Sequence, residues 1–299
     1  MVAGPNESNR SSVRNLLKGY SVELTSRQAS RVDRFADLLA PATRVYIPQT
    51  PHTELPDILA LAVRLRKEKM EPVPHLVARR IASLAAADDF LARLVSDAGV
   101  KQVLVVAGDV ARPTGELHNS LQILESGLLQ KHRIQAVGVA GYPEGHPALA
   151  DSVIRDALTR KRAFAEQTGA RVYVVTQFIL SADAVISWER AVAAQLGPLP
   201  IVVGLPGVAT AKTLLKYAVE CGVGASLQAF AKRYSEITKL LTVSTPDESL
   251  LALARYRTET PATRLAGIHF YTFGGFERTV RWVNGVLDGN LELTEGAVA

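Results

Sequence analysis

Short apolar runs alternate with longer amphipathic segments along most of the chain. Each run carries few charges, ends in a polar or Gly/Pro-containing corner, and is followed by a segment whose apolar residues recur three and four positions apart. The runs cover residues 20–25, 44–48, 73–77, 102–108, 136–142, 172–177, 201–204 and 267–273. The segments between them include residues 57–68, 81–98, 116–131, 149–168, 182–196 and 209–221. This pattern predicts eight β-strands separated by α-helices.

Nearly uncharged strands that alternate with helices are typical of a parallel sheet covered by helices. Eight βα units in about 250 residues match the size of a (β/α)8 barrel. An open doubly wound sheet is the alternative, but no G-x-G-x-x-G follows the first predicted strand, as a dinucleotide-binding sheet of that kind requires. The predicted fold is therefore α/β, a (β/α)8 TIM barrel.

The ends of the chain and one long connection complete the predicted organisation. Residues 1–18 are rich in Ser, Asn and Arg and contain little to bury before Val13, Leu16 and Leu17, which predicts a mobile N-terminal arm that ends in one helical turn. Residues 19–299 are predicted to form a single barrel domain. Between strands 7 and 8, residues 225–241 and 245–257 predict extra helices within that domain.

The second of these extra helices carries a start signal. Thr245 is the predicted N-cap, Pro246 the first helical residue, and Asp247 and Glu248 the acidic residues of the first turn.

Composition limits the cellular compartments and the classes of binding partner that are expected. Hydrophobic residues make up 47% and charged residues 21%, and no apolar run approaches the roughly 18 residues of a spanning helix. The single Cys221 excludes an internal disulfide, and the N-terminus lacks a signal-peptide core, so a cytoplasmic protein without a membrane partner is expected. The net charge of +5 suits an anionic small molecule. A homo-oligomer is compatible with the sequence, which does not specify one.

The densest basic groups do not predict a nucleic-acid site. Arg79-Arg80 and Arg160-Lys161-Arg162 are not interleaved with aromatic residues, as a groove for nucleic acid would be. Both groups are expected on solvated helix faces.

Residues 137–147, V-G-V-A-G-Y-P-E-G-H-P, pass from a buried strand into a polar corner. Its glycines and prolines prevent a strand or a helix from continuing, so the corner is a loop that presents Tyr142, Glu144 and His146. The corner is either an ordinary βα turn or part of a site. In a barrel, the carboxyl ends of the strands are where sites are built.

Two acidic residues stand out at the predicted strand ends. Glu23 lies between Val22 and Leu24 in a run suited to burial. There it is either a general acid with a raised pKa or one half of a structural ion pair. Asp109 follows Gly108, whose lack of a side chain permits the close approach of a ligand or of backbone. Asp109 is therefore either a site residue or the cap of the next helix.

The remaining polar residues favour binding over metal chemistry. His75 has no second His or carboxylate at a chelating interval, so no metal site is expected. The neutral amide of Gln177 suits an amide-bearing heterocycle. The chain contains no G-x-S-x-G, no Walker loop and no Cys-His pairing for nucleophilic or phosphoryl-transfer chemistry.

Several of these motifs, taken together, resemble those of the 5,10-methylenetetrahydrofolate reductase family. The matching motifs are S-V-E-L, P-H-L, G-D, V-A-G-Y-P-E-G-H-P, T-Q-F and H-F-Y-T, in the order of predicted strands 1, 3, 4, 5, 6 and 8. The fifth-strand motif is by far the most specific. The resemblance extends from Tyr20 to the region of Asn284.

The resemblance implies a (β/α)8-barrel oxidoreductase that acts on a CH–NH bond. In the family, NADH or NADPH delivers hydride to FAD, and the flavin reduces 5,10-methylenetetrahydrofolate to 5-methyltetrahydrofolate, in one-carbon metabolism and methionine biosynthesis. A cofactor of this kind carries hydride chemistry that no side chain can perform.

Residue roles follow from the resemblance, motif by motif. Glu23 matches the general acid that opens the five-membered ring of the folate to an iminium, and Asp109 matches the acidic catalytic residue near the pterin. The implied substrate-binding residues are Gln177, Phe178 and Tyr271. The implied cofactor-binding residues are His75, Gly108, Tyr142, Glu144 and His146.

Four departures from the family pattern bear on the cofactor. Ala107 replaces the arginine of R-G-D, Leu24-Thr25-Ser26-Arg27 replaces F-F-P-P, and Ser181 replaces an acidic residue. The lysine expected late in the helix before strand 6 is not cleanly aligned. The loss of positive charge that would bind the flavin phosphates weakens the prediction of FAD binding more than the prediction of folate binding.

Three alternatives therefore stay open beside the FAD-dependent reductase. One is direct hydride transfer from NAD(P)H to the folate. The others are a pterin-binding methyltransferase and a catalytically silent folate-binding subunit.

Overall fold

The computed structural model describes residues 7–51, 53–221, 231, 241–290 and 293–294, and every structural statement below concerns this part of the chain. Eight strands form a closed barrel in the order β1-β8-β7-β6-β5-β4-β3-β2. They are β1 Ser21–Glu23, β2 Arg44–Ile47, β3 Glu71–Val77, β4 Gln102–Val106, β5 Ala136–Gly141, β6 Arg171–Phe178, β7 Ile201–Pro206 and β8 Leu265–Tyr271. Each overlaps one predicted run, and the predicted (β/α)8 barrel is confirmed.

The helices that surround the strands are α1 Glu7–Leu17, α2 Ser26–Ala29, α3 Leu55–Lys67, α4 Leu84–Ala98, α5 Ser120–Leu124, α6 Leu128–Lys131, α7 Asp151–Thr168, α8 Ala182–Ala191, α9 Ala193–Leu196, α10 Ala211–Glu220, α11 Asp247–Glu259 and α12 Phe276–Asp288. Two single-turn 3₁₀ helices lie at Phe35–Asp37 and Ala78–Arg80. Ala209–Thr210 and Val243–Ser244 pair as a small antiparallel ladder. None of the described helices combines the length and apolarity needed to cross a bilayer.

Two predicted helices are interrupted. The segment predicted over residues 116–131 forms α5 and α6, because Gly127 adopts a left-handed conformation with φ of +79° between them. The segment over residues 182–196 is divided into α8 and α9 at Val192.

The predicted extra helices have different outcomes. Most of residues 225–241 lies outside the described residues. Residues 245–257 correspond to α11, but the predicted cap is wrong: Pro246, not Thr245, occupies the N-cap, and no side chain caps the helix. The carboxylate of Asp247 accepts instead from the backbone and hydroxyl of Thr294.

The predicted arm contains a packed helix. Val13, Leu16 and Leu17 of α1 are buried, and α1 packs against α11 and β8. Three apolar residues spaced three and four apart give the helix one apolar face, although its remaining residues are polar. Over residues 7–17 the structure therefore differs from the expected arm.

Chain contacts group the barrel into two units. The first comprises Met1–Val22, Tyr142–Ile154 and Thr176–Ala299, and the second comprises Glu23–Gly141 and Arg155–Val175. Buried core residues of the second unit include Val45, Ile47, Val73, Val103 and Val105. Those of the first unit include Val203, Leu205, Ile268, Phe270 and Val283.

Candidate active site

The second unit places an acid beside an imidazole. Glu23 ends β1, and the backbone N–H of the next residue, Leu24, donates to the carbonyl of Tyr46 in β2. His75 lies in β3, which is buried along most of its length. Nε2 of His75 lies 3.5 Å from Oε2 of Glu23, and the two side chains are 10% and 21% exposed. Strand pairing thus brings together two residues that are remote in sequence.

Burial sets the protonation of this pair. It raises the pKa of Glu23 from 4.5 to about 8 and lowers the pKa of His75 from 6.5 to about 3. At neutral pH the carboxyl is therefore protonated and the imidazole is uncharged. A protonated carboxyl beside a neutral imidazole is not an ion pair, so the first of the two interpretations of Glu23, a general acid, is favoured.

Tyr46 contacts His75, and Tyr173 is hydrogen-bonded to Tyr46. The ring of Tyr46 meets the imidazole edge-on, with centroids 6.1 Å apart, and its hydroxyl is 2.8 Å from the hydroxyl of Tyr173. A Cβ at Gly138 would lie 3.2 Å from that second hydroxyl, so the glycine leaves room for it. Sequence reasoning missed both tyrosines. The available signal was a phenol in the middle of an otherwise apolar strand.

Asp109 lies in a different environment from the one expected of a catalytic acid. Its side chain is 80% exposed and accepts a hydrogen bond of 2.9 Å from Arg80. It does not cap the next helix, because Asn119 caps α5. The structure thus places Asp109 in an exposed ion pair after β4.

The packing of the protein around position 108 requires a glycine there. Its φ is +97°, and a Cβ there would lie 2.5 Å from Cγ1 of Val77. The atoms that approach this glycine belong to the side chain of Val77, whereas the sequence predicted the approach of a ligand or of backbone. The space beside it is already filled by protein.

Arg79 and Arg80, expected on a solvated helix face, instead organise the loop after β4. The guanidinium of Arg79 donates to the carbonyls of Val110, Ala111 and His118. The Arg80 side chain is only 13% exposed and pairs with Asp109. Both guanidinium groups near Ala107 are therefore engaged by the protein.

In the first unit, three predicted substrate-binding residues meet at the ends of β6 and β8. Phe178 is buried, and its ring lies 5.9 Å from that of Tyr271. The Tyr271 hydroxyl donates to the carbonyl of Thr176. Oε1 of Gln177 accepts from the backbone N–H of Phe178, so its amide N–H groups are the atoms it offers to a ligand.

An aromatic neighbour of this group was not predicted. Phe273 lies 4.9 Å from Phe178 and stacks on Tyr217 at 4.4 Å. Its φ of +45° is unusual for a residue with a side chain. Sequence reasoning ended strand 8 at this residue and assigned it no role.

The corner after β5 is compact. The half-buried rings of Tyr142 and His146 meet edge-on at 5.1 Å, and the backbone N–H of Ala148 donates to Nδ1 of His146. Burial raises the pKa of Tyr142 and lowers the pKa of His146. Both rings are therefore uncharged near neutral pH. Glu144 lies between them in the loop and is partly buried.

Lys161 corrects another expectation from the sequence. The basic triplet was expected on a solvated face, yet this lysine is 5% exposed and its Nζ donates to the carbonyl of Ala140 at the end of β5. Burial lowers its pKa to about 8. Its spacing was the signal: Leu158, Lys161 and Phe164 recur every three residues and form the buried stripe of α7. Arg160 and Arg162 remain in ion pairs with Glu125 and Glu166.

Within residues 7–51, 53–221, 241–290 and the few others described, no three His, Cys, Asp or Glu residues are grouped as metal ligands. What the described residues offer is an uncharged acid, an amide and aromatic surfaces.

The fold and the site define a (β/α)8-barrel protein with a partly buried acid at the end of a strand. The family model described as methylenetetrahydrofolate reductase matches residues 52–274, and the chain belongs to this family. The match includes β3 to β8 and begins after β1, so it does not extend to Glu23.

Solved structures of similar fold include an uncharacterized protein from Clostridium thermocellum, described as binding two copies of 5-methyl-5,6,7,8-tetrahydrofolic acid. It is 13% identical, with a TM-score of 0.60 and coverage of 93% of this chain and 98% of that chain. The intracellular xylanase of Thermoanaerobacterium saccharolyticum is 11% identical, with a TM-score of 0.38 and coverage of 87% and 89%. At these identities the first likeness concerns the fold, and the second carries no argument.

Proposed function

We propose that the protein reduces 5,10-methylenetetrahydrofolate to 5-methyltetrahydrofolate with hydride from NADH or NADPH, and that Glu23 is the general acid. The observation that carries the proposal is the position of Glu23 at the end of β1, where its largely enclosed carboxyl lies 3.5 Å from Nε2 of His75 and burial raises its pKa to about 8. Family membership supplies the reaction, and the folate ligand of the Clostridium thermocellum protein agrees with the substrate class.

The proposed reaction balances one proton and one hydride. Glu23 protonates the ring nitrogen that leaves the methylene carbon, the carbon–nitrogen bond breaks, and an iminium forms at that carbon. Hydride from NAD(P)H adds to the iminium carbon and gives the methyl group. Glu23 is left as a carboxylate, which solvent reprotonates. A pKa close to the working pH suits both halves of this cycle.

Binding roles are proposed for the first unit. The amide N–H groups of Gln177 would donate to the acceptor atoms of the pterin, and Phe178 and Tyr271 would contact its apolar surface. For Asp109 a catalytic role remains the prediction of the family resemblance, which its exposed pair with Arg80 does not favour.

FAD is the hydride carrier that the family resemblance predicts, with His75, Gly108, Tyr142, Glu144 and His146 as its contacts. The surroundings of Ala107 do not fit it. The guanidinium groups that could meet its diphosphate belong to Arg79 and Arg80, which bind backbone carbonyls and Asp109. These contacts favour the second candidate, direct transfer from NAD(P)H to the folate, and the proposal contains no flavin step.

The absorption spectrum of the purified protein separates the two candidates. Direct transfer predicts full activity in protein whose visible spectrum lacks a flavin band. A flavin band near-stoichiometric with protein, lost together with activity and restored with it by added FAD, would instead establish the flavin-dependent reaction.

The role of Glu23 is tested by Glu23→Gln, measured as oxidation of NAD(P)H that depends on methylenetetrahydrofolate. Loss of the acid is expected to lower kcat by about 10²–10⁴-fold, with folate binding retained. The matched control is Glu71→Gln, which changes a carboxylate paired with Arg66 at the opposite end of β3. Unchanged turnover in Glu23→Gln would show that the acid role is wrong.

The same assay addresses the other classes of protein. A methyltransferase or a silent folate-binding subunit needs no hydride donor. Folate-dependent oxidation of NAD(P)H by the unaltered protein would exclude both, whereas folate binding without oxidation would favour them.

A further inference from the structure

The imidazole beside Glu23 has no part in the reaction described above. Its Nε2 is buried and makes no hydrogen bond to any described residue, yet it lies 3.5 Å from Oε2 of Glu23. We propose that His75 is a positioning residue that acts through Glu23: Nε2–H donates to Oε2, which leaves the acidic proton on Oε1. This inference rests on the proposed role of Glu23 and adds a second residue to it.

Protonation restricts the arrangements open to the pair. A charged pair would bury an imidazolium against a carboxylate, which burial disfavours for both groups. With both groups neutral, either the carboxyl donates to Nε2 or Nε2–H donates to the carboxyl. In the second arrangement the acidic hydrogen is not used in the contact with His75.

Donation from Nε2 also assists the proton transfer itself. When Glu23 loses its proton, the negative charge that appears on the carboxylate meets an N–H already directed at Oε2. A hydrogen bond to a charged acceptor is stronger than one to a neutral acceptor, so the contact stabilises the product of proton transfer more than the starting acid. The observed separation is slightly longer than a hydrogen bond, as is common for catalytic contacts before a ligand binds.

The protein holds the ring for this purpose. His75 pairs with Leu104 of β4 in the strand register, and its ring edge meets Tyr46 of β2. The Tyr46 hydroxyl is in turn bonded to that of Tyr173, whose pKa is raised by burial. The titratable neighbours on these elements are thus two phenols and Glu23 itself. The charged residues on β2 and β6, Arg44 and Arg171, act on Tyr173, whose pKa they lower in opposition to burial.

The first test needs no substrate: the titration of the Glu23 carboxyl by carbon-13 NMR, assigned by loss of its signal in Glu23→Gln. His75→Leu removes the donor, which is expected to raise the pKa of Glu23 by about one unit, the equivalent of one modest hydrogen bond. His75→Gln retains an N–H donor and is expected to restore most of the original value. A pKa that is unchanged or lowered in His75→Leu overturns the proposal.

The second test separates positioning from a structural role. His75→Leu is expected to lower kcat at least about 10-fold with little change in KM for the folate, and to move the alkaline limb of the pH profile upward. His75→Gln should recover most of kcat. Equal losses in both variants, or a loss confined to KM, would contradict the proposal. His75→Met, which also lacks a donor, replaces His75→Leu if that variant does not fold.

His132 provides the matched control. It is another imidazole of the second unit that contacts a carboxylate, with Nε2 2.6 Å from Oδ1 of Asp88. His132→Leu is expected to leave the Glu23 titration and kcat unchanged. If the unaltered protein fails to oxidise NAD(P)H, the proposed function is wrong, while the NMR titration still decides whether His75 donates to Glu23.

Discussion

The burial of Glu23 lowers the stability of the folded protein at the pH values where the carboxyl would otherwise ionise. Its carboxyl ionises with a pKa of about 8 in the native state and near 4.5 when exposed. Between these values the native state holds a proton that the unfolded state has released. Stability therefore falls as pH rises from about 4.5 to 8, because the folded state binds more protons throughout that window. The same burial that supplies an acid for catalysis costs folding free energy.

Glu23→Gln is expected to stabilise the protein by an amount that increases as the pH rises. The variant should show little gain near pH 5 and a gain of up to a few kcal/mol near pH 8, since the amide does not titrate. Urea unfolding at both pH values measures the difference. Asp88→Asn is the control of opposite sign, because hydrogen bonds from Lys131 and His132 lower the pKa of Asp88. A pH dependence shared by the unaltered protein and Glu23→Gln would refute the burial argument.

At the scale of elements, the packing of β6, β7 and β8 depends on a glycine in β7, because a larger residue there would clash with both neighbouring strands. Gly204 in β7 donates its N–H to Oγ1 of Thr176. A Cβ at this position would lie 2.6 Å both from the carbonyl oxygen of Thr176 and from Cε2 of Tyr271. The close approach of these strands therefore sets the place of the Tyr271 ring.

Gly204→Ala is expected to destabilise the protein by about 1–3 kcal/mol and to weaken folate binding, because Tyr271 must shift to admit the methyl group. Gly267→Ala in β8 is the matched control, since a Cβ there meets nothing within 4 Å. Equilibrium unfolding and folate titration measure the two effects. Equal behaviour of the two variants would mean that the Tyr271 ring adapts without cost.

At the scale of the whole molecule, neighbouring strands of the closed barrel follow one another in sequence order, and the N-terminal helix is longer than the single turn that was expected. The contacts of α1 with α11 and β8 all lie in the first unit. Burial of Val13, Leu16 and Leu17 contributes on the order of 2 kcal/mol for each side chain. Such a helix forms part of the core of the unit and is not a dispensable extension.

Leu16→Ala is expected to cost about 2–5 kcal/mol of unfolding free energy, the usual range for a fully buried leucine. Asn15→Ala should change it by less than about 0.5 kcal/mol, because Asn15 is exposed and its only described contact uses the backbone carbonyl. The midpoint of thermal unfolding reports both. A small effect of Leu16→Ala would restore the interpretation of residues 7–17 as an arm.

Much of the fold was predictable because its signals are local. Uncharged β-rich runs and the helical spacing of apolar residues recur often enough to specify eight βα units. The failures had local causes as well. Gly127 divides a predicted helix, and the polar composition of residues 7–12 concealed the length of α1, for which only one helical turn was expected. Lys161 was misplaced because its charge outweighed its position on the buried stripe of α7.

The sequence by itself determined the alternation of strands and helices, the polar corners at strand ends and the presence of a carboxyl in a run suited to burial. Only the tertiary structure decided what that carboxyl meets. Strand register placed His75 beside Glu23, directed Asp109 to solvent, and filled the space at Gly108 with Val77. The reason is physical: apolar periodicity reports how strongly a residue prefers burial, whereas the atoms it contacts depend on strands that are remote in sequence.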